Sequence, residues 1–80
     1  MKSCKELDQE IRLEMQRAFH KWGPYHNTHE LYAVLLEEVE EFWESVRRNE
    51  PDFHELLQVV AVAKRGIIEF RGLTLSKDSL

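Results

Sequence analysis

The sequence predicts an all-α fold, a helical bundle of three main helices per chain that is completed by oligomerisation. Three segments repeat apolar residues at the helical spacing of three and four positions, and none alternates over a useful length as a β-strand does. Gly23-Pro24 and Pro51 separate these segments. Because eighty residues leave no room for a second domain, we expect one domain over residues 1–80. Residues 73–80 are expected to be either a disordered tail or a short turn.

Composition and charge exclude several classes of protein. Fifteen acidic residues against eleven basic ones give a net charge of −4, which argues against a nucleic-acid binder because such a protein needs a basic face. No apolar run approaches the ~20 residues of a membrane span, and the first residues lack a signal-peptide pattern. We therefore expect a cytoplasmic protein without a membrane partner.

Small size raises the question of what stabilises the chain. A chain this short buries only about 60% of the surface that its unfolded form exposes. The single cysteine, Cys4, leaves no disulfide within the chain. A metal ion, a partner chain or both are therefore expected to add stability.

The first helix is predicted from about Lys5 to Lys21, where Gly23-Pro24 ends it. Its apolar residues follow spacings of four, four, three and four and form one stripe: Leu7, Ile11, Met15, Ala18 and Trp22. Because Trp22 continues this stripe, we expect its ring in the core, with stacking on a bound base as the alternative.

The second helix is predicted to begin at Asn27 or Thr28 and to run to about Arg48. Asn27 followed by Glu30 is a capping-box pattern, in which each side chain accepts a hydrogen bond from the other residue's backbone amide. Apolar residues cover an arc of about 200° on this helix, roughly twice what one neighbour requires. The arc predicts contacts on two sides, and we expect the second neighbour to be another copy of the chain.

The third helix is predicted to start near Pro51 or Asp52. Proline is favoured at the first helical position, and Asp52 with Glu55 repeats the capping-box pattern. Gly72 is suited to end the helix. Gly66 lies inside it and lowers its stability by about 1 kcal/mol relative to alanine, unless a neighbouring side chain packs closely there.

Two acidic side chains of the second helix point toward its predicted core. At about 100° per residue, Glu38 lies about 20° from Leu31 and about 40° from Phe42, inside the apolar arc. Glu41 lies on the border of that arc, and the two carboxylates project side by side. Two anions this close repel each other unless an arginine or a divalent cation lies between them. Oxygen ligands, with no cysteine or histidine at ligand spacing, favour Mg²⁺ or Mn²⁺.

Glu55 and Gln58 form a second polar pair with the same spacing on the third helix. An antiparallel pairing of the second and third helices would bring this pair to face Glu38 and Glu41. The alternative is that Glu55 and Gln58 lie on the solvent face of their helix, and the angles alone favour neither.

Residues 37–41, Glu-Glu-Val-Glu-Glu, are followed after thirteen residues by Glu55-Leu56-Leu57-Gln58. This arrangement resembles the EExxE…ExxD pattern of the MazG-like nucleotide pyrophosphohydrolases. Residues 22–38 look like the loop and helix of the short phage and prophage members of that family. Residues 58–65 are similar to their third helix.

The resemblance implies an all-α dimer or dimer of dimers that hydrolyses a (deoxy)nucleoside triphosphate to the monophosphate and pyrophosphate. It implies Mg²⁺ ligands at Glu38, Glu41, Glu55 and Gln58, and catalytic carboxylates at Glu37, Glu38 and Glu41. Where the family has aspartate this chain has Gln58, whose neutral carbonyl is a weaker ligand and cannot act as a base. The alternatives are a catalytically inactive relative that binds metal or nucleotide, and a plain helical interaction protein.

Basic and aromatic residues near these carboxylates are candidate substrate contacts. Arg65 is the best placed of them because it continues the stripe of Gln58 along the third helix. The others are Lys21, Tyr25 and Lys64. The alternative for each basic residue is a solvated side chain.

Overall fold

A computed structural model describes residues 3–72 and confirms the all-α fold of three helices. They are α1 (Cys4–Trp22), α2 (Thr28–Arg47) and α3 (Phe53–Phe70). No strand occurs between residues 3 and 72, and none of the helices there has the length and apolar character that a membrane span requires. The prediction for residues 73–80 lies outside the described residues.

Side-chain caps begin the helices close to where the sequence places them. The Asn27 side chain accepts a hydrogen bond from the Glu30 backbone amide at 2.9 Å, so Asn27 is the N-cap of α2. The reciprocal bond of a capping box differs from the prediction, because the Glu30 carboxylate accepts from the His26 amide at 3.1 Å. At α3 the N-cap is Asp52, which accepts from His54 N–H at 2.9 Å.

The helix α3 lies at the centre of the chain. Both α1 and α2 pack against α3 rather than against each other. Leu31 near the start of α2 contacts Gly66 near the end of α3, and the rings of Phe42 and Phe53 are 6.4 Å apart at the opposite ends, so the two helices are antiparallel. Because α1 and α2 do not meet, an open cleft remains between them with α3 as its floor.

The buried core is small and lies between α1 and α3. Its buried apolar residues are Met15, Ala61 and Ile68, with Ile11 packed against them. Trp22 was expected in this core, but the Trp22 residue is 72% exposed. The last turn of α1 borders the open cleft instead of a neighbouring helix, so the Trp22 ring lines the cleft, with Lys21 Nζ 5.0 Å from its centroid.

A neighbouring side chain does pack closely on Gly66 inside α3. Leu31 lies directly against the Gly66 backbone. A Cβ atom built on Gly66 would lie 2.6 and 2.7 Å from the two methyl carbons of Leu31. Gly66→Ala therefore gains about 1 kcal/mol of helix propensity but forces Leu31 to move, which costs about 1–3 kcal/mol.

We expect Gly66→Ala to lower the free energy of unfolding of the wild-type chain by about 1 kcal/mol. In a Leu31→Ala background, where the space is empty, the same substitution is expected to raise it by about 0.5–1 kcal/mol. Urea denaturation of the four chains in a double-mutant cycle measures both values. An effect of the same sign in both backgrounds would contradict this close packing.

Candidate functional site

Three carboxylates from α2 and α3 meet at one point of the structure. Glu38, Glu41 and Glu55 each offer a carboxylate oxygen, and these oxygens all lie within 4.8 Å of one another. Glu41 lies beside both Glu38 and Glu55 and contributes to raising the pKa of each. A hydrogen bond between two carboxyl groups requires a proton on one of them. Carboxylates this close together are stabilised either by a shared proton or by a bound cation.

The turn between α2 and α3 positions this cluster. Ser45 is buried at the end of α2, and its hydroxyl donates to the Phe42 carbonyl at 2.6 Å. The same hydroxyl accepts from the Asp52 amide at 3.0 Å, which ties the N-cap of α3 to α2. Asn49 completes the turn with a φ of 60°, a left-handed conformation that asparagine tolerates. Glu55 is thereby held one turn into α3, opposite Glu41.

Burial, and after it the crowding of negative charge, raises pKa values in the cluster. Burial raises the pKa of Glu38 to about 7, with further contributions from the neighbouring Glu41, Glu55 and Glu37. Burial and the hydrogen bond to Glu41 also raise the pKa of Glu55. Glu38 and Glu55 are therefore easier to protonate than in water, because burial and the neighbouring carboxylates disfavour their charged forms, and His54 offsets only part of this at Glu55.

A hard divalent cation fits this donor set. Mg²⁺ binds oxygen at about 2.0–2.1 Å, so two of its ligands are separated by at most about 4.2 Å. Small side-chain rotations bring oxygens that lie within 4.8 Å of one another into that range. All three donors are carboxylates, which favours Mg²⁺ or Mn²⁺ over zinc.

The cleft between α1 and α2 opens beside this cluster and shares Glu38 with it. Its volume is about 560 Å³, within the range of about 300–1,000 Å³ that is typical of small-molecule sites. Trp22 at the end of α1 and Tyr25 in the following loop provide aromatic lining. Its polar and charged lining includes Glu14, Arg17, Glu37, Glu38, Gln58 and Arg65.

The Gln58 side chain interacts with one residue of α1 and with one residue of its own helix, α3. Its amide nitrogen is 3.3 Å from His54 Nε2, and its side chain also hydrogen-bonds to Glu14. Glu14 is in turn paired with Arg17, whose Nε donates to it at 3.2 Å. Burial alone would raise the pKa of Glu14, but the hydrogen bonds from Arg17 and Gln58 outweigh it and lower this pKa. Glu14 is thus a firmly ionised carboxylate on the α1 wall.

Arg65 clamps the loop that follows α1. Its side chain is 5% exposed and its Nε donates to Glu69 at 2.9 Å. The guanidinium also donates to the Gly23 carbonyl at 3.3 Å and lies 4.1 Å from the centroid of the Tyr25 ring. The Tyr25 backbone amide donates to the second oxygen of Glu69 at 2.8 Å. Arg65 therefore lines the cleft as a buried, paired residue and not as a solvated side chain.

The other basic candidates lie outside the cleft. Lys64 is exposed on α3, and Lys21 is exposed and lies over the Trp22 ring. Neither is among the residues that line the cleft.

Sequence reasoning missed Glu14 and Arg17, which line the cleft, and Glu69, which pairs with the cleft residue Arg65. A signal for Glu69 existed, since it follows Arg65 by one helical turn. Nothing in the sequence indicates that Glu14 of α1 would lie beside Gln58 of α3.

The raised pKa values predict that stability falls as pH rises. A carboxyl whose folded-state pKa of about 7 exceeds its ordinary 4.5 stabilises the fold below pH 4.5, and this contribution is lost as pH rises through about 7. With a chelator present, we expect the melting temperature to fall between pH 5 and pH 8, by the equivalent of about 1–2 kcal/mol after solvent screening. The lowered pKa values of Glu14 and Glu30 act on stability only in more acidic solution.

Thermal melts of the wild-type chain and of Glu38→Gln across this pH range measure the effect. The melting temperature of Glu38→Gln should depend less on pH, because this variant lacks the carboxyl whose pKa is raised most. A wild-type profile that climbs between pH 5 and pH 8 would show that the carboxylates are not crowded in solution.

Compared with models of protein families, with curated proteins and with solved structures, the chain shows no match. The interpretation of the site therefore depends on its own residues, and the family suggested by residues 37–58 stays a hypothesis.

Proposed function

We propose that this protein hydrolyses a (deoxy)nucleoside triphosphate to the monophosphate and pyrophosphate, with Mg²⁺ or Mn²⁺ held by Glu38, Glu41 and Glu55. The observation that supports the proposal most is the meeting of these three carboxylates beside a cleft of about 560 Å³. A divalent cation bound there would neutralise the triphosphate and stabilise the pyrophosphate that leaves.

The residues of the chain have separate tasks in this proposal. Glu37 lines the cleft next to Glu38, and its carboxylate accepts the proton of the water that attacks the α-phosphorus. The bond between the α-phosphorus and its bridging oxygen breaks, and pyrophosphate leaves with that oxygen. Trp22 and Tyr25 present aromatic surface on which a base can stack.

Gln58 favours a second candidate function, the binding of metal and nucleotide without turnover. Its side chain bonds to Glu14 and His54, and an amide can neither supply a fourth negative charge nor accept a proton. In that case the cleft binds the same ligands as in the first proposal, and the chain is a helical binding protein.

Two measurements on the same samples separate these functions. The first is a thermal melt with and without millimolar Mg²⁺ or Mn²⁺, repeated with a panel of nucleoside triphosphates. The second is pyrophosphate release. A rise in melting temperature with pyrophosphate release supports the hydrolase. A rise without release supports the binding protein. No rise with any metal overturns both proposals.

We also propose that two copies of the chain pair through the face of α2 that points away from α3. Five large apolar residues on α2 are between 36% and 65% exposed. They follow spacings of four, three, four and three: Tyr32, Leu36, Val39, Trp43 and Val46. This is the heptad pattern of a seam between two helices, so a second copy of α2 is the partner that it fits.

Placing a charge in this face is expected to separate the copies. Trp43→Glu buries a carboxylate in an apolar seam and should shift the protein from dimer, or dimer of dimers, to the 9.6 kDa monomer. Light scattering at micromolar concentration measures the mass. The control is Glu40→Gln, an exposed change on the same helix that should leave the mass unchanged. A folded wild-type monomer at this concentration would overturn the proposal.

A further inference from the structure

The cleft has three positively charged or potentially charged residues among its lining: Arg17, His26 and Arg65. Two of them are committed to the protein. Arg65 is buried in its pair with Glu69 and also bonds to the Gly23 carbonyl. The His26 ring lies 2.8 Å from the Glu30 carboxylate and pairs with it.

Arg17 differs from Arg65 in its accessibility, and from His26, whose side chain is 82% exposed, in carrying a permanent positive charge. Its side chain is 61% exposed, whereas the side chain of its partner Glu14 is 12% exposed. The Gln58 side chain also lies beside Glu14 and favours its ionised form, lowering its pKa. If the Arg17 guanidinium moves to another anion, Glu14 therefore keeps a partner, and no buried carboxylate is left without one. The pair can thus open at small cost.

The position of Arg17 in the cleft suits a contact with phosphate. Arg17 lies on the α1 wall of the cleft, whereas Glu37 and Glu38 lie on the α2 wall, with α3 as the floor between them. An anionic ligand whose phosphates reach metal on the α2 side has its other oxygens turned toward α1. A guanidinium recognises phosphate by two parallel hydrogen bonds.

We propose that Arg17 is the residue that contacts the phosphate chain of the ligand, and that Glu14 holds its guanidinium ready in the empty cleft. This inference rests on the proposed function, because it takes a polyphosphate with a divalent cation as the ligand. It assigns to Arg17 of α1 the contact for which Lys21, Lys64 and Arg65 were the candidates by sequence.

Binding of inorganic tripolyphosphate in the presence of Mg²⁺, measured by calorimetry on the full chain, tests the proposal. Arg17→Gln should weaken binding by about tenfold, and Arg17→Lys by less, because lysine keeps the charge and loses the fork. Glu14→Gln should strengthen binding by about threefold, because it releases Arg17 from a competing carboxylate.

The matched control is Arg47→Gln. Arg47 pairs with Glu44 at the same spacing of three residues, and its side chain is 62% exposed, but it does not line the cleft. This variant should bind tripolyphosphate as the wild type does. Circular dichroism on all variants confirms that each is folded.

Titration with Mn²⁺ alone separates this inference from the proposed function. Arg17→Gln should bind Mn²⁺ with unchanged affinity. If the wild type binds Mn²⁺ and the Arg17 and Arg47 variants bind tripolyphosphate equally, the role of Arg17 is overturned and the proposed function stands. Weaker tripolyphosphate binding by Glu14→Gln also overturns the role, because it makes Glu14 a ligand in its own right. A wild type that binds no Mn²⁺ overturns both.

Discussion

Replacing Glu38 by glutamine is expected to have opposite effects with and without Mg²⁺. In a chelator at pH 8, Glu38→Gln should raise the free energy of unfolding by about 1 kcal/mol, because it removes a charge that the fold holds beside two others. With millimolar Mg²⁺ it should abolish the stabilisation by metal. Pyrophosphate release should fall by at least about 100-fold, since the metal loses a ligand that is shared with the cleft.

The control for this experiment is Glu40→Gln. It makes the same change of charge on the same helix, but Glu40 is exposed and is not part of the cluster. Both effects should be absent in this variant. Equal effects of the two substitutions would show that general charge, and not a metal site, governs stability. Retained pyrophosphate release in Glu38→Gln would place the chemistry elsewhere.

The helices were predictable because their signals are local. Asn27 caps α2 within three residues of the amide it binds, and the start and end of each helix follow from such short patterns. The pairing of α2 with α3 also agrees with a local fact, since a turn of five residues between Arg47 and Phe53 favours antiparallel neighbours. The sequence could therefore predict that Glu41 and Glu55 share one side of a hairpin if α2 and α3 pack together. The position of α1 does not follow in this way, because an equally short loop joins α1 to α2 and these two helices do not meet.

The parts of the site that were not predictable depend on contacts between distant residues. Arg65 bonds to the Gly23 carbonyl across 42 positions of the chain, and the Glu69 carboxylate receives the Tyr25 amide across 44. No periodicity reports such contacts. Trp22 is a case in which periodicity gave a wrong prediction. The apolar stripe of α1 predicts an apolar neighbour for the Trp22 ring, but α1 and α2 do not meet, so the ring lies in the cleft. Periodicity gives the face of a residue, but packing decides what that face meets.

Arg65→Ala is expected to lower the stability of this chain strongly. It leaves the Glu69 carboxylate, 9% exposed, without its partner, and removal of one member of a buried pair costs about 3–5 kcal/mol. For a domain of this size that loss lowers the melting temperature by more than about 12 °C. Arg47→Ala, in an exposed pair, should change the free energy of unfolding by less than about 0.5 kcal/mol. Thermal and urea denaturation measure both.

Arg65→Lys distinguishes the two roles that this residue could have. A residue that only contacts substrate would keep its charge as lysine, so the fold would be unaffected and ligand affinity would fall. A residue that clamps the loop needs Nε on Glu69 and another nitrogen on the Gly23 carbonyl at the same time, and a single ammonium cannot reproduce that fork. We therefore expect Arg65→Lys to be destabilised by about 2 kcal/mol, with faster hydrogen exchange at the Tyr25 amide that Glu69 holds. If Arg65→Lys were as stable as the wild type, the hydrogen bonds of Arg65 to the loop would contribute nothing to the fold. Arg65 would then again be a candidate substrate contact.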